Sequence, residues 1–113
     1  MDDMVIFART FDLLDWLLPR CADFPAAQRF VATKRLQDAA LDFQEAILDA
    51  NAQTGKDRLA DLRRADAHLN KLRLYLRLVH RWHWLNDGQY EHVSRMVNEI
   101  GKLLGGWIKG TTG

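Results

Sequence analysis

Apolar residues recur at alternating steps of three and four through residues 58–85, the stretch around which the rest of the chain is arranged. This spacing places them on one face of a helix, and so long a seam is typical of a helix that packs along a partner at a shallow angle. The seam consists of Leu62, Ala65, Leu69, Leu72, Leu76, Val79 and His83. A second apolar set, Leu74, Tyr75, Leu78 and Trp82, lies off the seam. Because one neighbour cannot cover both sets, we assign Leu74, Leu78 and Trp82 to an oligomer interface.

Three other segments show the helical period. The expected core stripe of the first is Val5, Phe7, Phe11, Leu14 and Leu18; that of the second is Leu36, Ala40, Phe43 and Ile47; that of the last is Tyr90, Val93, Val97, Ile100, Leu104 and Trp107. Turn-forming residues separate the segments at 23–25, 53–55 and 86–88. No stretch alternates with the period of two expected for a strand.

These segments predict an all-α fold, an up-down-up-down antiparallel four-helix bundle, because short connections favour antiparallel neighbours. A chain of 113 residues usually carries one core. We therefore expect a bundle over residues 1–109, with helices at about 4–22, 26–52, 56–85 and 88–108, and a flexible tail at 110–113. Gly101 and Gly105 share one side of the last helix, where backbone could approach backbone.

Composition narrows the functional classes. The chain begins Met-Asp-Asp, without a basic leader or an apolar stretch of membrane-spanning length, so we expect neither secretion nor membrane insertion. Cys21 is the only cysteine, which excludes an intrachain disulfide and a cysteine-rich zinc site. A reduced, cytoplasmic setting is the simplest interpretation.

The formal net charge of +1 hides a difference between the two halves of the chain. Five basic and nine acidic residues precede Lys56, whereas eleven basic and six acidic residues follow from there. No acid occurs from Ala67 to Asn86. Such asymmetry favours a polyanion partner, although an acidic half that neutralises a basic half within the bundle explains it equally well.

Few residues have the spacing that catalysis or metal binding needs. His80 and His83 are three apart, but a zinc site needs about four ligands, and the Glu-x-x-His repeat of di-metal bundles is missing. His92 and Ser94 lie on different helix faces with no acid to orient them. We therefore predict no catalytic residues, no metal and no cofactor. A metal or redox bundle is less favoured than the two hypotheses for a binding protein given below.

Basic residues on the long helix are the better candidates for function. Arg73, Arg77 and Arg81 are spaced by four, so they follow one slowly turning face of the helix. Guanidinium groups suit phosphate because their forked donors match its oxygens. The alternative is pairing with acids of a neighbouring helix. Among the tryptophans, base stacking is one use, but we expect Trp82 at an interface and Trp107 in the core.

Six segments, in order and at matching spacing, resemble the accessory variability determinant (Avd) of diversity-generating retroelements. They are Leu17-Leu18-Pro19-Arg20, Phe24-Pro25, Leu62-Arg63-Arg64-Ala65, Leu72-Arg73-Leu74-Tyr75-Leu76-Arg77-Leu78, Tyr90-Glu91-His92-Val93-Ser94-Arg95 and Glu99-Ile100-Gly101-Lys102-Leu103-Leu104-Gly105-Gly106-Trp107. A related family, the four-helix proteins encoded in intervening sequences of bacterial ribosomal RNA, shares the fold and the Phe-Pro turn. It is the alternative, and would make this chain an interaction bundle without a polymerase partner.

The resemblance implies an accessory protein without catalysis of its own. Avd-type proteins form a ring of four-helix protomers, typically a pentamer, that binds the element's reverse transcriptase and template RNA and supports error-prone copying at adenines. On this resemblance the binding role falls to Arg63, Arg64, Arg73, Arg77, Arg81 and Arg95, with Lys71 as a weaker member. Avd-type proteins are generally strongly basic, and the near-neutral charge of this chain favours the polymerase as the main contact.

Overall fold

A computed structural model describes the backbone of residues 3–112 and the side chains of residues 5–112. The chain forms four α-helices, which we label α1 (Asp3–Arg20), α2 (Ala32–Asn51), α3 (Gly55–Arg81) and α4 (Asp87–Thr112). Two short 3-10 turns, Cys21–Asp23 and Ala26–Gln28, connect α1 to α2. No strand occurs within the described residues. The all-α fold predicted from the periodicity is therefore confirmed.

Contacts between helices give the antiparallel order. Phe7 near the start of α1 meets Trp107 near the end of α4, with ring centroids 6.0 Å apart. Trp16 near the end of α1 meets His92 near the start of α4, at 5.0 Å. Each helix also packs against the next one along the chain. The result is an elongated bundle of 44 × 25 × 19 Å, close to the length of about 40 Å that a helix as long as α3 spans at 1.5 Å per residue.

Three of the four predicted core stripes form the interior. On α3 the six apolar seam residues from Leu62 to Val79 are all buried, and so are the predicted residues of α2 and, apart from the half-buried Tyr90, those of α4. Burying leucine and isoleucine side chains contributes roughly 1.5–3 kcal/mol each, so these stripes dominate the stability of the bundle. Trp107 is 3% exposed, as expected for a core residue.

The core stripe of α1 lies on a face next to the predicted one, centred on Leu13 and Leu17, which we expected only to widen the apolar surface. The buried residues of α1 are Ile6, Thr10, Leu13 and Leu17, and Cys21 continues them in the 3-10 turn that follows. The prediction of Phe11 as a core residue is wrong, since its side chain is 66% exposed, and Val5, Phe7, Leu14 and Leu18 are half-buried. Thr10 tolerates burial because its hydroxyl donates to the carbonyl of Ile6 (2.7 Å).

Two helix ends also differ from the prediction. α2 begins at Ala32 rather than near residue 26, because the segment after Pro25 forms a 3-10 turn and then an irregular Val31. α4 continues to Thr112, so residues 110–112 of the expected flexible tail are helical, and Gly113 lies outside the described residues.

α3 ends at Arg81, four residues earlier than predicted, in a Schellman motif. The amide of His83 donates to the carbonyl of His80 (3.0 Å), and the amide of Trp84 donates to that of Val79 (2.9 Å). His83 takes the left-handed position of the motif with φ of 64°. Its side chain is exposed, so its assignment to the core seam was wrong.

A reciprocal cap starts α4 immediately afterwards. The backbone N–H of Gln89 donates to the side-chain Oδ1 of Asn86 (2.8 Å). In return, the backbone N–H of Asn86 donates to the side-chain Oε1 of Gln89 (2.9 Å). This arrangement satisfies two backbone donors at a helix start. It fixes the position at which α4 leaves the turn and begins to pack beside α3.

Candidate binding surface

The three arginines spaced by four lie along the second half of α3, clear of the core. Arg73 is half-buried and donates from Nη1 to the side-chain oxygen of Asn70 (2.9 Å). Arg77 and Arg81 are exposed. Within residues 5–112, none of the three forms an ion pair with a carboxylate. Their charge is therefore not neutralised by the fold.

The other predicted site residues differ in how much of their charge is free. Arg64 bridges Asp49 on α2 (2.9 Å) and Asp61 on its own helix (2.7 Å). Arg95 pairs with Glu91 one turn away (3.0 Å). Arg63 and Lys71 are exposed, and no ion pair joins them to the described carboxylates. The predicted set is thus divided into internally paired and free cations.

The seven predicted cations do not share one groove. Arg73 and Arg77 line a groove between α3 and α4, and Arg77 and Arg81 line an adjoining one toward the α3–α4 turn. Lys71 lies on the opposite side of α3, in a groove shared with α2. Only Arg73, Arg77 and Arg81 form a continuous set, which we call the arginine flank.

At the end of the arginine flank, an aromatic pair anchors the α3–α4 turn. The rings of His80 and Tyr90 are stacked, with centroids 4.1 Å apart and planes 3° from parallel. Nε2 of His80 donates to a carboxylate oxygen of Asp87 (2.8 Å). Asp87 lines the same groove as Arg77 and Arg81, but it forms no ion pair with either of them in the described part of the chain.

The predicted oligomer-interface residues border the arginine flank. Leu74 is 51% exposed and Trp82 is 44% exposed, whereas Leu78 is half-buried. Leu74 and Leu78 line the same groove as Arg77 and Arg81. An apolar strip and a cationic row therefore run side by side along the second half of α3.

No metal-binding cluster of three or more His, Cys, Asp or Glu side chains occurs among the described residues. Cys21 is buried, and its thiol lies 3.5 Å from the carbonyl oxygen of Leu17. Burial raises the pKa of the Cys21 thiol to about 11, an effect that the hydrogen bond with Gln37 partly opposes. The thiol therefore stays protonated at neutral pH and is a poor nucleophile.

Several residues of α4 beside the arginine flank were not recognised from the sequence. Tyr90, Ser94 and Asn98 line the groove with Arg73 and Arg77. Gly101 lies under the guanidinium of Arg73, where a β-carbon would overlap Nη2. A β-carbon at Gly105, by contrast, would meet open space. Of the two glycines expected to allow a close approach, only Gly101 does so. The group that approaches its backbone is the side chain of Arg73 and not the backbone of another helix.

The geometry defines a four-helix bundle with a free cationic flank on its longest helix. The chain belongs to the bAvd-like family, whose sequence model matches residues 4–111. The family assignment inferred from the six sequence segments is thereby confirmed. No curated protein matches the chain.

A solved structure confirms the fold independently. The crystal structure of a protein of unknown function from the S23 ribosomal protein family of Bacteroides thetaiotaomicron VPI-5482 matches with a TM-score of 0.87. The match covers 96% of this chain and 99% of that chain, at 23% sequence identity. At this identity the likeness shows the shared fold and nothing about function. In the described part of the chain, no helix is long and apolar enough to span a membrane.

Proposed function

We propose that the protein is a non-enzymatic accessory protein of a diversity-generating retroelement. In this role it binds the element's reverse transcriptase and template RNA and supports mutagenic copying. The observation that carries the proposal is membership of the bAvd-like family over residues 4–111. The free arginine flank supports it, because unpaired guanidinium groups on a rigid helix are suited to phosphate and to acidic protein surfaces.

The working form in this proposal is a homo-oligomer, as in the pentameric rings of Avd-type proteins. The exposed side chains of Leu74 and Trp82 would be covered by a second copy, with the half-buried Leu78 between them. Because this apolar strip borders Arg77 and Arg81, the arginines would lie at the edge of the subunit contact. Repetition around a ring would then multiply a basic surface that one nearly neutral protomer presents only locally.

The contributions of the predicted cations differ in this proposal. Arg73, Arg77 and Arg81 carry most of the binding, because no carboxylate of the described chain competes for them. Arg63 and Lys71 contribute as outlying charges. Arg64 and Arg95 contribute least, because their ion pairs must be broken or shared before they meet a ligand.

The test is co-purification of the tagged protein with the reverse transcriptase encoded beside it and its template RNA. We expect both to co-elute with the wild type. The triple variant Arg73→Glu, Arg77→Glu and Arg81→Glu should lose both while keeping the helical circular-dichroism spectrum, because the three side chains lie outside the core. A charge-matched control reverses three exposed cations elsewhere, Arg29, Arg35 and Lys109. Absence of polymerase and RNA from the wild-type eluate would contradict the proposal.

A second candidate function is an interaction bundle without a polymerase partner. It is suggested by the resemblance of the Phe24-Pro25 turn to the four-helix proteins encoded in intervening sequences of bacterial ribosomal RNA. The neighbouring genes separate the two candidates. A reverse-transcriptase gene with paired template and variable repeats supports the accessory role, and its absence supports the second candidate.

A further inference from the structure

The groove between α3 and α4 has an apolar floor and polar walls. Buried Leu76 and Val97 form the floor. The walls carry the guanidinium groups of Arg73 and Arg77 on α3, and the hydroxyl and amide groups of Tyr90, Ser94 and Asn98 on α4. Within the described chain this groove therefore combines two cations with three neutral hydrogen-bonding side chains.

The charge of this groove is positive and uncompensated. No carboxylate is among the residues that line it in the described chain. The acids at the start of α4 are engaged elsewhere, since Asp87 accepts from His80 and Glu91 accepts from Arg95. The negative charge that makes the whole chain nearly neutral lies mainly before Lys56. The near-neutral total therefore does not describe the local field at this groove.

Gly101 leaves the space that the guanidinium of Arg73 occupies in this arrangement. Nη2 of Arg73 lies so close over the α4 backbone that a methyl group at residue 101 would displace it. Asn70 fixes the other end of the guanidinium through Nη1 (2.9 Å). Arg73 is thus held by a hydrogen bond within α3 and lies against α4 only because residue 101 has no side chain.

We propose that this groove is a binding site for a phosphate group of an RNA backbone, built jointly by α3 and α4. Arg73 and Arg77 supply the charge, Ser94 and Asn98 supply neutral donors, and Gly101 is a positioning residue that acts through Arg73. The inference rests on the proposed function and adds to it the α4 side chains of the site and the positioning role of Gly101.

The donor set favours phosphate over a protein carboxylate. A phosphodiester presents oxygens in a tetrahedral arrangement, and two guanidinium forks with a hydroxyl and an amide can surround it. A carboxylate also accepts a guanidinium fork, but its lone pairs lie in one plane, whereas a phosphodiester also accepts from donors on either side of such a plane. None of the lining groups would read a base edge at a phosphate contact, so binding should depend little on sequence.

The test measures binding of the full-length protein to fluorescein-labelled oligouridine and oligoadenine of equal length, by anisotropy over a series of salt concentrations. We expect Arg77→Gln to weaken binding about tenfold at low salt and to lower the slope of log affinity against log salt by about 0.7, one phosphate contact. Ser94→Ala with Asn98→Ala should weaken binding about threefold to tenfold without changing that slope. The two oligonucleotides should bind within about threefold of each other.

Gly101→Ala has a matched control in Gly105→Ala, four residues further along the same helix. Both changes favour the helical state, but only the one at residue 101 displaces a guanidinium. We expect Gly101→Ala to weaken RNA binding about threefold to tenfold and Gly105→Ala to leave it unchanged. In an Arg73→Ala background, Gly101→Ala should cause no further loss, because its effect passes through Arg73. Arg35→Gln, an exposed arginine of α2 outside this groove, controls for general loss of charge.

The outcomes separate this site from the proposed function. If the wild type binds polymerase and RNA while the groove variants match their controls, the site is wrong and the accessory role stands. If the groove variants no longer bind the polymerase but still bind RNA, the groove binds an acidic protein surface. That result would also contradict the proposed RNA phosphate site. A wild type that binds polymerase but no RNA overturns it as well, and one that binds neither overturns both.

Discussion

The two halves of α3 share one core and differ in what their surfaces do. In the first half, residues 55–66, two of the three arginines, Arg58 and Arg64, are used by the bundle itself. Arg58 donates to the carbonyl of Ala50 at the end of α2 (3.0 Å), and its guanidinium lies 5.8 Å from the ring centroid of Trp107. Arg64 joins α3 to α2 through Asp49. These cations hold helices together.

In the second half, residues 67–81, the arginines are left for something else. Arg73 donates to a neutral amide, and Arg77 and Arg81 form no ion pair with the described carboxylates. The neighbouring part of α4 brings Ser94 and Asn98 instead of an acid. The same residue type on the same helix is therefore structural or free according to what the adjacent helix places opposite it.

The largest effect should come from the core that both halves share. Leu62 in the first half and Leu72 in the second are both fully buried. Replacing either with alanine removes buried methyl groups and leaves a cavity, so each change should lower the free energy of unfolding by about 2–5 kcal/mol. Leu48→Ala, on a side chain of α2 that is 50% exposed, should change it by about 0.5 kcal/mol or less. Urea titration followed by circular dichroism measures all three.

Equal losses at the two buried leucines would establish that the core does not distinguish the halves. A loss below about 1 kcal/mol at Leu62 would mean that polar contacts and not packing stabilise the first half of α3. The claim that both halves share one core would then be wrong.

A smaller effect should separate the arginines of the two halves. Arg58→Ala removes a charge-assisted hydrogen bond to a helix-terminal carbonyl and a contact with Trp107, so we expect a loss of about 1–2 kcal/mol in unfolding free energy. Arg77→Ala removes no described ion pair and should stay within about 0.5 kcal/mol of the wild type. The same urea titrations give both values. A destabilisation by Arg77→Ala as large as that by Arg58→Ala would show that the second half is not free.

Sequence periodicity located the core of α2, α3 and α4 because each of these helices has a clear apolar face between polar ones. It failed on α1, where apolar residues at Val5, Ile6, Phe7, Leu13 and Leu14 surround most of the helix. There the choice of face depends on the shape of the neighbouring helices, and the structure buries Leu13 and Leu17 while exposing Phe11.

The ends of helices were harder to predict than their faces. The early end of α3 depends on His83 taking a left-handed conformation, which the seven-residue spacing of the seam does not reveal. The late start of α2 reflects a 3-10 turn after Pro25, where proline suits a helix start equally well.

The candidate site was predictable only in part for a related reason. The spacing of Arg73, Arg77 and Arg81 indicated a shared face, and the acid-free stretch around them indicated free charge. That Arg64 reaches Asp49, and that Gly101 lies beneath Arg73, depends on the register between helices. A single helical sequence carries no information about that register, so the partners of each arginine had to come from the structure.

The most direct measurement compares charge reversal in the two halves of α3. One variant carries Arg77→Glu and Arg81→Glu, the other Arg63→Glu and Arg64→Glu, and each is titrated against labelled RNA and tested for co-elution with the polymerase. We predict that the Arg77 and Arg81 pair loses about a hundredfold in affinity and all co-elution, because it places acids on the free flank, whereas the Arg63 and Arg64 pair loses about tenfold or less. Equal losses, or a larger loss from the first half, would contradict the account.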